Sequence, residues 1–202
     1  MNNATRSRGI ATAAASLAML TVVALSAPAT AAAYDGDPAG GSARPPANSS
    51  AYLKFTKNWK HPDRSTLSLV KGGHVVKSYR AGSGLGSTND CLSNRGWLPS
   101  GTYQVKGHQT SRDSTVKGYA IQLSNKECHP KSGKKKDAVT RDDLFIHSEM
   151  TKNGGRGSTE PTRWDGDSDY KSYGCIKLRP DHIKDLFSRL KNDWPNLTLR
   201  VG

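Results

Sequence analysis

From residue 51 onward, apolar positions alternate with polar ones in short bursts. Leu53 and Phe55 form the first such pair, and Leu67 and Leu69 the second. Gly72-Gly73 follows, and then His74-Val75-Val76, a pattern that predicts a hairpin. Tyr103 and Val105 alternate after the turn-forming Pro99-Ser100-Gly101, and Tyr119, Ile121 and Leu123 alternate next. Leu144-Phe145-Ile146 is a compact apolar run suited to a buried strand. One segment has a helical period. Ile183, Leu186, Phe187 and Leu190 recur at i, i+3, i+4 and i+7, after Pro180 and with Asp181 in the first turn. Pro195 prevents continuation, and Leu197, Leu199 and Val201 read as a final strand. The predicted class is mainly β: a sandwich or barrel with one C-terminal α-helix and a closing strand.

The first fifty residues follow a different pattern. Arg6 and Arg8 precede an uncharged, apolar stretch from Ile10 to Ser26, and cleavage sites between small residues follow at Ala31 and Ala33. This predicts a secretory signal peptide over residues 1–33 rather than a spanning helix. Residues 34–50 carry Pro38, Pro45, Pro46, Gly36, Gly40 and Gly41 without periodicity and read as a flexible linker. The folded domain is then 51–202, and the expected location is extracellular and associated with the cell wall.

Composition narrows the classes. Hydrophobic residues make up 34% of the chain and the mean hydropathy is -0.68, which excludes a polytopic membrane protein. Residues 51–202 hold 27 basic and 15 acidic side chains, so the domain carries +12. Such a charge draws a secreted protein to polyanions, anionic wall polymers among them. No aromatic-basic interleaving or nucleic-acid motif accompanies it, so no nucleic-acid partner is expected. Lys126, Lys131 and Lys134-Lys135-Lys136 read as a solvated loop. A monomer is expected.

An exported chain with three cysteines leaves one over. Cys91 and Cys128 lie in polar loops and form the natural disulfide, whereas Cys175 lies between Gly174 and the apolar Ile176. A free thiol retained outside the cell points to a chemical role. A nucleophilic Cys needs an imidazole to take its proton and backbone N–H groups to receive an oxyanion. Gly174 clears the approach, and a tight turn through Tyr173, Gly174 and Cys175 can present those donors. His147 is the best base, because it follows the apolar run and precedes Ser148, whose carbonyl or hydroxyl can orient the ring. His182, in the first turn of the helix, is the rival. A charged Cys175–His147 pair, with the thiol below its usual pKa, is the expected resting state.

These residues resemble a known signature. Ile146-His147-Ser148, followed by Ser172-Tyr173-Gly174-Cys175-Ile176-Lys177-Leu178, is similar to the motif of the L,D-transpeptidases (the YkuD-type catalytic domain). Pro99-Ser-Gly-Thr-Tyr-Gln-Val105 is similar to a strand of that family. Three features depart from its pattern. Tyr173 stands where the family has His, Lys177 stands where it has Arg or Asn, and 28 residues separate His147 from Cys175. The added segment around Gly154 to Trp164 reads as an enlarged lid.

The resemblance implies a peptidoglycan substrate. It makes Cys175 the nucleophile, His147 the base and Ser148 its orienting partner. Ser172, Tyr173 and Gly174 would build the oxyanion turn, and Lys177 and Trp164 would contact substrate. No cofactor and no metal are implied. Asp165-Gly-Asp167-Ser-Asp169 imitates the start of a calcium loop, but Tyr170 occupies the position of the required Gly. Two rivals remain. A sortase-like transpeptidase also places His before Cys but needs a Thr-Leu-x-Thr-Cys block. A basic, secreted wall-binding or inhibitory protein on a decayed transpeptidase fold would keep the scaffold without the chemistry.

Overall fold

The computed structural model describes residues 51–202. The signal-peptide and linker readings, 1–33 and 34–50, lie outside the described residues. Ten strands form: β1 (Tyr52–Thr56), β2 (Ser65–Lys71), β3 (His74–Ser83), β4 (Gly101–Asp113), β5 (Lys117–Leu123), β6 (Lys126–Glu127), β7 (Thr140–Arg141), β8 (Phe145–His147), β9 (Ile176–Lys177) and β10 (Thr198–Val201). Eight of them close a barrel in the order β1-β10-β4-β5-β8-β9-β3-β2, and β6 and β7 make a separate ribbon.

Alternation decides what points inward. Leu53 and Phe55 pair with Leu199 and Val201 across the parallel β1–β10 contact, and all four are buried. Leu67, Leu69, Tyr103, Ile121, Ile146 and Ile176 fill the same core. Fully burying one such aliphatic side chain contributes about 1.5–3 kcal/mol. The β2–β3 turn uses Gly72 and Gly73, both at positive φ (61° and 77°), the conformation a two-residue hairpin demands.

A single turn, α1 (Glu160–Arg163), lies in the segment between β8 and β9, and the expected C-terminal helix is α2 (Pro180–Arg189). Ile183, Leu186, Phe187 and Leu190 of α2 join the barrel core. Pro180 opens the helix, where its missing N–H costs nothing. Asp185 pairs with Arg189 one turn later at 2.9 Å and accepts a 2.8 Å bond from the Tyr79 hydroxyl of β3.

One strand runs further than its alternation indicates. β4 continues from Val105 to Asp113, and most of this arm is exposed. It pairs with β5 through two register shifts, at Val105/Gly107 and Gln109/Arg112. Its polar outer residues hide the period, because paired backbone rather than apolar burial holds it in place. His108 lies within this arm and stacks on Trp194, with ring centroids 3.7 Å apart.

Candidate active site

β8 and β9 run parallel, with Ile146 opposite Ile176 and His147 opposite Lys177. Both isoleucines are fully buried in the core. Side chains alternate along a strand, so Phe145, His147 and Lys177 share the opposite, outer face. Cys175, one residue before β9, emerges on that same face. The barrel thus brings together a thiol and an imidazole that are 28 residues apart in sequence.

The turn before Cys175 is braced from several sides. Ser172 Oγ donates to the Cys175 carbonyl at 2.6 Å and accepts from the N–H groups of Gly84 (3.2 Å) and Gly174 (3.3 Å). Ser83 Oγ donates to the Gly174 carbonyl at 3.2 Å and accepts from Leu98 N–H at 2.9 Å. Gly174 has φ +119°, and a Cβ there would fall 2.2 Å from Arg141 Nη2. Glycine is therefore required both by conformation and by space.

Arg141 carries a part of the site that the sequence pattern does not reveal. Its buried guanidinium donates to the Tyr173 carbonyl at 3.0 Å and to the Asp90 carbonyl. Asp90 precedes Cys91, which is joined to Cys128 by a disulfide spanning 37 residues. The Asp90 carboxylate accepts from His129 N–H (3.0 Å) and meets His129 Nδ1 at 2.8 Å. A path of bonds thus leads from the disulfide through Asp90 and Arg141 to the turn that holds Cys175. The Thr-Arg-Asp-Asp context of Arg141 gives no motif, so only tertiary approach assigns its place.

Cys175 accepts from Phe145 N–H at 3.3 Å and donates to the Asp143 carbonyl at 3.6 Å. His147 Nδ1 lies 3.2 Å from the Ser148 carbonyl. A carbonyl only accepts, so Nδ1 carries the proton and Nε2 is the free base. The Ser148 carbonyl, not its hydroxyl, orients the ring; the hydroxyl is buried without a partner. His182 lies elsewhere, on α2 against Tyr79, with ring centroids 5.5 Å apart.

The electrostatics correct one expectation. Burial pushes the Cys175 thiol up to about 11, against the opposing pull of Phe145 N–H and Arg141. Burial, aided by the Lys177 charge, pushes His147 down to about 4, with Glu149 opposing. The resting pair is thiol and neutral imidazole rather than thiolate and imidazolium. Desolvation wins because a charged pair in this setting needs closer compensation than the site supplies.

Lys177 and Trp164 meet each other rather than open solvent. The Lys177 ammonium is 3.2 Å from Glu149, donates to the Lys171 carbonyl at 3.0 Å and lies 5.9 Å from the Trp164 ring. Trp164 donates to the Glu149 carbonyl at 2.7 Å and packs edge-on against Tyr170. Tyr173, by contrast, is 69% exposed and only its backbone is held. The acidic loop that imitates a calcium site has its carboxylates occupied. Asp167 accepts from Arg64 (2.6 Å) and Arg80 (2.8 Å), and Asp169 from Gly166 N–H (2.7 Å). The Asp167 bonds fasten this segment to β3 and to the turn before β2.

A family model, the L,D-transpeptidase catalytic domain (YkuD), matches residues 60–196. The chain belongs to the L,D-transpeptidase catalytic-domain family. No curated protein matches it. Among solved structures it is similar to an L,D-transpeptidase from Xylanimonas cellulosilytica, at 17% identity and a TM-score of 0.42, covering 78% of this chain and 63% of that one. It is also similar to Bdellovibrio bacteriovorus Bd1075, at 18% identity and a TM-score of 0.46, covering 76% and 48%. The Enterococcus faecium L,D-transpeptidase is a third, at 16% identity and a TM-score of 0.44, covering 76% and 50%. The chain therefore spans between about half and 63% of the length of these structures. Within the L,D-transpeptidase family, His147 and Cys175 fall in the matched region.

Proposed function

We propose that this protein is a wall-associated, secreted peptidoglycan transpeptidase that uses Cys175 as nucleophile and His147 as base. The observation that carries the reading is the shared outer face of β8 and β9. It presents a free thiol beside an imidazole whose Nε2 is available, next to a turn locked by Ser172.

Cys175 Sγ attacks the carbonyl of an L-to-D peptide bond in a stem tetrapeptide. As the S–C bond forms, the thiol proton leaves the Asp143 carbonyl and passes to His147 Nε2. The oxyanion is received by the N–H groups of Tyr173 and Cys175, since that of Gly174 is committed to Ser172. The C–N bond breaks, His147 returns its proton to the departing D-Ala amine, and a thioester remains. An amine from a second stem, or water, then releases the acyl group and restores the thiol. Starting from neutral partners removes the need to stabilise a resting thiolate, and charge appears only as substrate excludes water. Lys177 and Trp164 form the wall beside His147 and shape the acyl site through Glu149. The protein works as a monomer and engages anionic wall polymers through its basic surface. Among the described residues no helix is long and apolar enough to cross a membrane.

The test is incubation of purified peptidoglycan with the protein, followed by mass analysis of the muropeptides. Loss of terminal D-Ala or new dimers is expected, and Cys175→Ala should give neither. A second reading, a wall-binding protein on a decayed site, is favoured by the raised thiol pKa and by Tyr173. It requires that no acyl adduct of Cys175 appear in intact-mass spectra while sacculus binding persists.

A further inference from the structure

The β4–β5 arm reaches over the outer face that carries the thiol, and its second bulge decides which side chain arrives there. Gln109 pairs with Ala120 and Arg112 with Gly118, so three steps on β4 oppose two on β5. In an unbroken strand, Gln109 and Arg112 would point to opposite faces. The extra residue reverses that parity and places Arg112 on the face of Ala120, Gln122, Phe145 and His147. The guanidinium then lies over the Phe145 ring, 4.8 Å from its centroid. Phe145 is also the residue whose N–H holds the Cys175 sulfur.

Arg112 is poorly satisfied where it sits. Its Nε is buried without a hydrogen-bond partner, and its one side-chain bond is a 3.3 Å contact from Nη1 to Gln109 Oε1. The nearby carboxylate of Asp113 is engaged by Lys152 at 3.0 Å. Two concavities meet at this residue. One, of about 600 Å³, runs along residues 108–114, and the other, of about 110 Å³, reaches Ala120, Gln122 and Phe145. Both are lined by His108, Gln109 and Arg112. A guanidinium with open donors, held over an aromatic ring in a cleft, is suited to bidentate binding of a carboxylate.

We infer that Arg112 is a specificity-determining residue that binds a carboxylate of the stem peptide, the terminal carboxylate of the departing D-Ala being the one in reach. This rests on the peptidoglycan reading above. Phe145 links the two groups: its ring lies 4.8 Å from the guanidinium and its backbone N–H holds the sulfur at 3.3 Å, and one residue separates the scissile carbonyl from that carboxylate. The contact recognises a tetrapeptide by its end and anchors the leaving group while the S–C bond forms.

The experiment measures binding and acylation separately. Binding is titrated on the Cys175→Ala protein with three soluble disaccharide-tetrapeptides: unmodified, amidated at the terminal carboxyl, and amidated at the side-chain carboxyl of the third residue. Adding Arg112→Ala should weaken binding of the unmodified peptide about ten- to hundredfold. It should change the terminally amidated peptide little, and Arg112→Lys should recover only part of the loss. If instead the side-chain amide is the ligand insensitive to Arg112, the carboxylate belongs to the third residue. Equal loss on all three peptides, or no loss on any, overturns the inference. Acylation of the Cys175-containing enzyme is then followed by intact mass. Arg112-dependent binding without any acyl-enzyme would retain the carboxylate site and sink the transpeptidase reaction. Acylation indifferent to Arg112 would do the reverse. Melting temperatures of the Arg112 variants serve as the folding control.

Discussion

Burial leaves Cys175 and His147 neutral, and this has consequences on each side of neutral pH. Cys175 has a raised folded-state pKa, so its contribution to stability is full below about 9 and is lost as pH rises through about 11. His147 has a lowered folded-state pKa, so its contribution is full above 6.5 and is lost as pH falls through about 4. Stability should therefore be flat between about pH 6.5 and 9 as far as these groups decide it. Cys175→Ala should soften the alkaline limb and His147→Gln the acid limb, in melting temperature against pH. Alkylation of the resting enzyme by a small neutral reagent should climb towards a midpoint near 11, and His147→Ala should barely move it. A midpoint below about 8.5 that rises in His147→Ala would show a resting ion pair instead. The residue types of this site are legible in the sequence, because a Gly-Cys turn and a His at a strand end carry recognisable chemistry. Their protonation is not, because it depends on how deeply the folded chain covers them. The same holds for Lys177, whose charge is visible in the sequence but whose contact with Glu149 and Trp164 is not.

At the level of elements, the loops outside the barrel are tied to the site. The Cys91–Cys128 disulfide joins the segment of Asp90 to the β6–β7 ribbon, which holds Arg141 in β7. Replacing both cysteines by serine releases a 37-residue constraint, at a cost of about 3–4 kcal/mol. For a domain of this size the melting temperature should fall by about 10 °C. The Asp90 carbonyl should also drift from Arg141, and the Tyr173 carbonyl with it, so acylation should slow in kcat more than in KM. Arg141→Lys, which keeps the charge but loses the fork, should reproduce the slower acylation with the disulfide intact. Full acylation rates in both variants would remove the disulfide and Arg141 from any positioning role. β1, β2, β5, β10 and α2 were readable from period and β8 from its apolar run, whereas the two-residue β9 was not. The outer arm of β4 was not: its residues alternate between polar and polar, and its two bulges reverse parity twice. Such a strand is specified by its partner, and a pattern rule that looks only along the chain does not see partners.

On the scale of the whole molecule, barrel closure depends on β1 and β10, which are separated by nearly the full length of the domain and pair in parallel. Alternation in each strand marks it as half-buried, but the order around the barrel comes only from non-local contacts. That closed scaffold leaves the charge on its outside. Residues 51–202 carry 27 basic and 15 acidic side chains, and Lys134, Lys135 and Lys136 are all exposed. Attraction between such a surface and anionic wall polymers is long-ranged and screened, with a Debye length of about 10 Å at 0.1 M salt and about 3 Å at 1 M. The proposed catalytic pair, in contrast, has His147 buried and Cys175 half-buried, and is screened less. Binding to sacculi bearing anionic polymers should therefore fall steeply between about 0.05 and 0.5 M salt, while turnover of a soluble, uncharged-glycan stem fragment should change little. Sacculi stripped of those polymers should bind weakly at both salt concentrations. Cosedimentation read beside turnover tests this directly. Retention that ignores both salt and stripping would mean that the wall is held through the peptidoglycan itself, with the basic surface serving solubility alone.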